Sequence, residues 1–326
     1  MNPDTEVPRD RPEQLHDQRM AEFHRLARAS AHYRWWRPLV VGVAAASAYF
    51  GLLLAFLAVM ALAGLAFPGV WQATEQFLDD PSIDMSQPSA YALAMTTVVL
   101  ILPAIVLATR AFGAKPVGLL SSVSARIRGR WLVQCLGIAA AVYLGAGLLE
   151  FAMPRIGGQS LAPRFENSHA LALVGLAVLL VPFQAAAEEY LFRGYLMQTL
   201  GAWFSHPAIA ITLPVPLFVL GHGYQLNGML DIAAFALVAG WLTWRTGGLE
   251  AAIALHVVNN LAWSVLGAFG VLDLNATDGT TTDLAVSLLL TGVFALAAVK
   301  AADHLGVART KKPTSSPQPE HAEAAR

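Results

Sequence analysis

Eight apolar stretches dominate this chain, at roughly 38–67, 90–109, 131–152, 170–192, 208–224, 229–244, 249–268 and 284–302. Crossing the hydrocarbon core takes about 20 apolar residues in a helix. Inside lipid every backbone polar group must bond within its own segment, so such stretches fold as helices. Charged residues make up 13% of the chain and hydrophobic ones 56%, against about 25% charged in a soluble domain. The expected fold is all-α, a polytopic membrane helix bundle of about eight transmembrane helices. It divides into a cytoplasmic basic N-terminal arm at 1–37, the transmembrane bundle at 38–302 and a disordered tail at 303–326.

Orientation follows from the basic residues. The first 37 residues carry seven Arg, and 110–130 carries Arg110, Lys115, Arg126, Arg128 and Arg130. The connection 68–89 is acidic, and so is 269–283. An eight-span topology places nineteen of the 21 Lys and Arg on one side, with Arg155 and Arg164 opposite. Both termini are expected in the cytoplasm. The Ala- and Arg-rich composition is compatible with a high-GC bacterium, so the expected location is a bacterial plasma membrane. In the arm, Arg25, Arg28 and Arg34 are expected near anionic headgroups, with Trp35 and Trp36 at the interface. The net charge of -1 argues against a nucleic-acid partner. A single cysteine, Cys135, excludes an intramolecular disulfide.

Charge inside such helices is costly, about 2.5–3.5 kcal/mol per residue on insertion scales. Glu188 and Glu189 nevertheless lie at the end of the fourth stretch, in Glu188-Glu189-Tyr-Leu-Phe-Arg193. Glu189 and Arg193 are four apart in the favourable order for an ion pair. Glu188 is turned about 100° away and is left for base chemistry. Of nine histidines, seven, His24 among them, fall in termini or at span edges and are expected to be solvated. His222 ends Phe218-Val-Leu-Gly-His222, and His256 opens His256-Val-Val-Asn-Asn260. Each pair shares a helix face, whereas Asn259 points about 100° round. A buried structural histidine would account for His222 alone, and interhelical hydrogen bonding for His256 with Asn260. One carboxylate, two histidines and an Asn on three spans exceed what packing needs. Bringing His222 and His256 to one depth requires a bend in the fifth span, which Pro214 and Pro216 can supply. Pro182 can bend the fourth.

These three motifs, EExxxR, FxxxH and HxxxN, resemble those of the CAAX protease and bacteriocin-processing family of intramembrane endopeptidases, the type 2 CAAX prenyl protease group. The resemblance covers roughly 170–265. It implies an eight-helix bundle that cleaves peptide bonds of a membrane-associated protein or peptide at membrane depth, in contact with the lipid bilayer. Carried onto this chain, Glu188 and His222 would hold and activate a water, while His256 and Asn260 would stabilise the oxyanion. Glu189, Arg193 and Phe218 would support them. A metal-free mechanism is expected. Zinc on Glu188, His222 and His256 is the alternative, although no HExxH motif is present. Two other classes stay open at this point. One is a proton-coupled transporter, for which no internal repeat is visible. The other is a non-catalytic immunity or scaffold protein that binds a peptide without cutting it.

Overall fold

The computed structural model describes residues 20–30, 33–79, 84–152 and 167–311. Seven helical stretches within them are long and apolar enough to cross a membrane. The first, α1, runs Arg37–Ala66, with Pro38 in its first turn, where a missing N–H costs nothing. A short α2, Pro68–Asp79, follows outside the bundle core. α3 (Pro88–Val99) and α4 (Ile101–Phe112) form one span jointed at Leu100. Pro103 lacks the N–H that would bond the Val99 carbonyl there. α5 is Gly129–Ala152.

α6, Ala170–Glu189, passes through Pro182 without interruption. It widens into a π-helical segment, Tyr190–Leu196, and continues as α7, Met197–Trp203. The three together make a 34-residue apolar stretch, longer than the expected 170–192. The expected fifth span is not one helix. α8 (Pro207–Thr212) and α9 (Val215–Leu220) are separated at Leu213–Pro214, because neither Pro214 nor Pro216 can donate a helix bond. From Pro207 to Leu220 the pair reaches about 21 Å, short of a hydrocarbon core of about 30 Å. Among the described residues the bundle thus has seven full-length spans and one short, broken one. α10 (Leu226–Thr246), α11 (Glu250–Ala268) and α12 (Thr281–His304) complete it. α12 starts from a capping box of Thr280 and Asp283.

α11 is the hub. It packs against both α5 and α6, while α3 covers another face of α6 and α12 lies on α10. Every residue from Glu250 to Ala254 is buried. By contrast α1 lies on α4 and turns Phe50, Leu54, Leu62 and Leu65 outward. An outward row of large apolar side chains on a 30-residue helix is a lipid-facing surface.

The start of α11 is pinned by a side-chain lock. Arg128 donates to Glu250 from Nε at 2.9 Å and from Nη2 at 2.6 Å. Its Nη1 donates to the carbonyls of Thr246 and Ala308. A Cβ at position 248 would press on the paired ends of Arg128 and Glu250, so a side chain there would disturb the lock. Position 247 has φ 70°, suited to glycine.

Two strands, Ala21–Glu22 (β1) and Thr310–Lys311 (β2), pair antiparallel at this end of the bundle. The described part of the arm is therefore built into the fold. Phe23 and Leu26 are fully buried among Leu119, Met197 and Leu249, each burial stabilising by about 1.5–3 kcal/mol. His24, expected to be solvated, is fully buried, with Nε2 bonded to the Ser205 carbonyl at 3.1 Å. Burial lowers its pKa. Arg25 and Arg28 each donate one hydrogen bond inward, to the carbonyls of Gly201 and Ala202, which the end of α7 leaves without helix partners. Trp35 and Trp36 are exposed. Of the expected tail, residues 303–311 continue the fold. The expectations for 1–19, for Arg155 and Arg164, and for 312–326 lie outside the described residues.

Candidate active site

Glu188 and Glu189 end α6 at the point where the helix widens into its π segment. π turns inside α-helices are frequent at functional sites. Arg193 Nη1 donates to Glu189 Oε1 at 2.8 Å, and both side chains are buried. A second guanidinium nitrogen donates to the Ala236 carbonyl at 3.1 Å. The same guanidinium lies 4.6 Å from the Phe218 ring centroid, a cation–π contact. Phe218 in turn packs edge-on against Phe192 and stacks on Phe235.

His256 sits two turns into α11 and meets both carboxylates. Its Nδ1 is 2.8 Å from Glu189 Oε1, and its Nε2 is 3.5 Å from Glu188 Oε2. Glu189 is ion-paired to Arg193 and only accepts, so Nδ1 carries a proton. Neutral His256 then presents a lone pair at Nε2, and its imidazolium presents a second N–H toward Glu188. Phe235 flanks the ring at 5.0 Å.

Glu188 is held by a chain of amides. Gln184 Nε2 donates to Glu188 Oε1 at 2.9 Å. Asn260 Nδ2 donates to Gln184 Oε1 at 3.1 Å, and Asn259 Nδ2 to Asn260 Oδ1 at 3.2 Å. The Tyr143 hydroxyl closes the chain on Asn259 Oδ1 at 2.8 Å. All four bonds point the same way, toward Glu188. They consume its Oε1 and leave Oε2 buried with no hydrogen-bond partner among the described residues. Asn260 keeps a second amide hydrogen to donate.

His222 lies just beyond α9, half-buried. Its Nδ1 donates to the Phe218 carbonyl at 2.7 Å, which leaves Nε2 as an acceptor. It reaches the cluster through Phe218, whose ring centroid is 4.7 Å from that of His222 and 6.3 Å from that of His256. Among the described residues His222 has no hydrogen bond or ion pair with Glu188.

Glu188, Glu189, Arg193, Phe218, His256 and Asn260 thus share one cluster, with His222 at its edge. Among the described residues no three His, Cys, Asp or Glu side chains are gathered to hold a metal ion. Sequence reasoning missed Gln184, Asn259 and Tyr143. Gln184 had a signal, since it stands one turn before Glu188 on the same helix face.

Residues 169–262 match the family model described as type II CAAX prenyl endopeptidase Rce1-like. That range holds α6 to α10 and most of α11. A relative, the uncharacterized protein YyaK of Bacillus subtilis (strain 168), is 31% identical over 104 residues, covering 30% of this chain and 35% of that protein. The chain thus spans about a third of the length of the curated relative it matches. No solved structure matches. The motif-bearing core, residues 169–262, is the part of this chain that matches the Rce1-like type II CAAX prenyl endopeptidases.

Proposed function

We propose that this protein is an intramembrane endopeptidase that hydrolyses a peptide bond of a membrane-associated protein or peptide, with Glu188 as the base. The observation that carries this reading is the state of Glu188: one oxygen fixed by Gln184, the other buried, unpartnered and 3.5 Å from His256. A carboxylate presented this way is set up to take a proton.

In this reading a water lies between Glu188 Oε2 and the His222 Nε2 lone pair. Glu188 removes one proton as the water oxygen attacks the scissile carbonyl carbon. The oxyanion accepts from His256, acting as imidazolium at Nε2, and from the second amide hydrogen of Asn260. Each such donor contributes about 3 kcal/mol to the transition state. Glu188 then returns its proton to the leaving amine as the C–N bond breaks. Glu189 and Arg193 hold the imidazole in place, and no metal takes part. The basic arm and the polar ends at β1–β2 are assigned to the cytoplasm of a bacterial plasma membrane, consistent with the bias in Lys and Arg.

Substrate trapping tests this. Glu188→Gln should retain an intact membrane protein or peptide during purification, and the wild-type chain should cleave that captured molecule. Failure of the wild type to cut anything the variant captures would favour a scaffold that binds peptides.

A further inference from the structure

A cavity of about 50 Å³ lies near the β1–β2 end of the bundle, apart from Glu188. Its walls come from the first turns of α1 (Pro38, Val41), the end of α4 (Thr109), the segment 113–120 and Tyr195 of the π segment. Most of the lining is apolar, and two polar groups stand out. Thr109 is 4% exposed, and its hydroxyl has no hydrogen-bond partner among the described residues. Arg37 is half-buried, and its guanidinium makes no hydrogen bond or ion pair with any described residue. Its neighbours differ, since Arg25 and Arg28 bond to carbonyls of α7 and Arg34 to that of Tyr33. A buried hydroxyl and a confined guanidinium without partners both cost free energy.

The location narrows the ligand. Trp35 and Trp36 are exposed immediately before Arg37, and Leu39 and Val43 open the lipid-facing side of α1 immediately after it. Arg37 therefore stands where the chain passes from headgroups to hydrocarbon. Apolar walls reject a free anion, whereas a guanidinium at this level binds a lipid phosphate. Four arginines between positions 25 and 37 add a positive field that favours a lipid with net negative charge.

We propose that this cavity binds one anionic phospholipid. The phosphate is held by Arg37, an ester carbonyl accepts from the Thr109 hydroxyl, and the first carbons of one acyl chain fill the space between Val41, Val117 and Leu119. Gly194 and Tyr195 also line the cavity, and the Tyr195 hydroxyl donates to the Pro38 carbonyl at 2.7 Å. The bound lipid would tie α1 to the π segment that follows Glu188 and Glu189. The proposal stands independently of the peptidase reading.

Native mass spectrometry of the full chain in mild detergent tests it, with phosphatidylglycerol, phosphatidylcholine and inorganic phosphate added in separate titrations. One phosphatidylglycerol adduct is expected, with phosphatidylcholine at least about tenfold weaker and phosphate neither binding nor competing. Arg37→Gln should weaken the adduct about tenfold, the scale of one charge-assisted phosphate contact. Val41→Trp, which fills the cavity, should abolish it. Equal binding of the two lipids, competition by phosphate alone, or an unchanged adduct in Arg37→Gln would overturn the proposal. The Arg37→Gln result decides even if the Trp variant does not fold.

Discussion

His256 bridges the two adjacent carboxylates of α6, with Nδ1 2.8 Å from Glu189 and Nε2 3.5 Å from Glu188. One imidazole therefore separates a structural carboxylate, neutralised by Arg193, from a carboxylate whose outer oxygen has no hydrogen-bond partner among the described residues. The two glutamates should respond differently to the same substitution. Glu189→Gln leaves the buried Arg193 without its counter-charge and should cost about 3–5 kcal/mol of stability. Thermal unfolding of the purified protein measures this. Glu188→Gln removes no ion pair with Arg193 and should unfold close to wild type.

The amide chain from Tyr143 to Glu188 makes a second prediction. Asn259→Leu interrupts it without touching Glu188, His222, His256 or Asn260 through a new charge. Loss of one half-buried hydrogen-bonded link corresponds to about 0.5–1.5 kcal/mol, so turnover should fall by roughly 2- to 13-fold. Tyr143→Phe removes only the outermost hydroxyl and should have a smaller effect. Equal losses in the two variants would argue against a directional chain.

The arm supplies a pH-dependent prediction outside the membrane. Burial lowers the His24 pKa below its unfolded value, so the unfolded arm binds the proton more readily. The docked arm is then fully favoured above an ordinary histidine pKa of about 6.5 and loses that contribution as pH falls through the folded value. Limited proteolysis at 20–36 should accelerate as pH drops below about 6.5, and His24→Phe should flatten the profile. Gly201→Val should release the arm at every pH, because a side chain there would collide with the His24 backbone.

Much of the bundle was legible because polar residues stand out in apolar runs. Glu188, Glu189, His222 and His256 were visible as charges and imidazoles where helices should be featureless. Pro214 and Pro216 foretold a bend in the fifth span, although not that it would stop short. The connecting amides were harder to see, because Gln184 and Asn259 gain meaning only from partners on α5 and α11. Asn259 was read as facing away from Asn260, yet adjacent long side chains can still bond, here at 3.2 Å. His24 was misjudged because its burial depends on α7, some 175 residues later in the chain, returning to cover it. The π segment leaves no mark of its own in hydropathy, since Tyr190–Leu196 lies within one continuous 34-residue apolar stretch.

Metal removal separates the proposed mechanism from its zinc alternative. Activity on a captured substrate should persist after dialysis against a strong chelator, and metal analysis of the active preparation should find less than one equivalent of zinc. Loss of activity that returns only with added zinc would contradict the metal-free account.

The central claim is that Glu188 performs the chemistry. The direct measurement is the rate at which intact captured substrate disappears in proteoliposomes containing wild-type or Glu188→Gln protein at equal folded concentration. The account predicts cleavage by the wild type and a rate lower by about 10²–10⁴ in the variant, the span of a lost general base. Disappearance at the wild-type rate in the Glu188→Gln protein would contradict it.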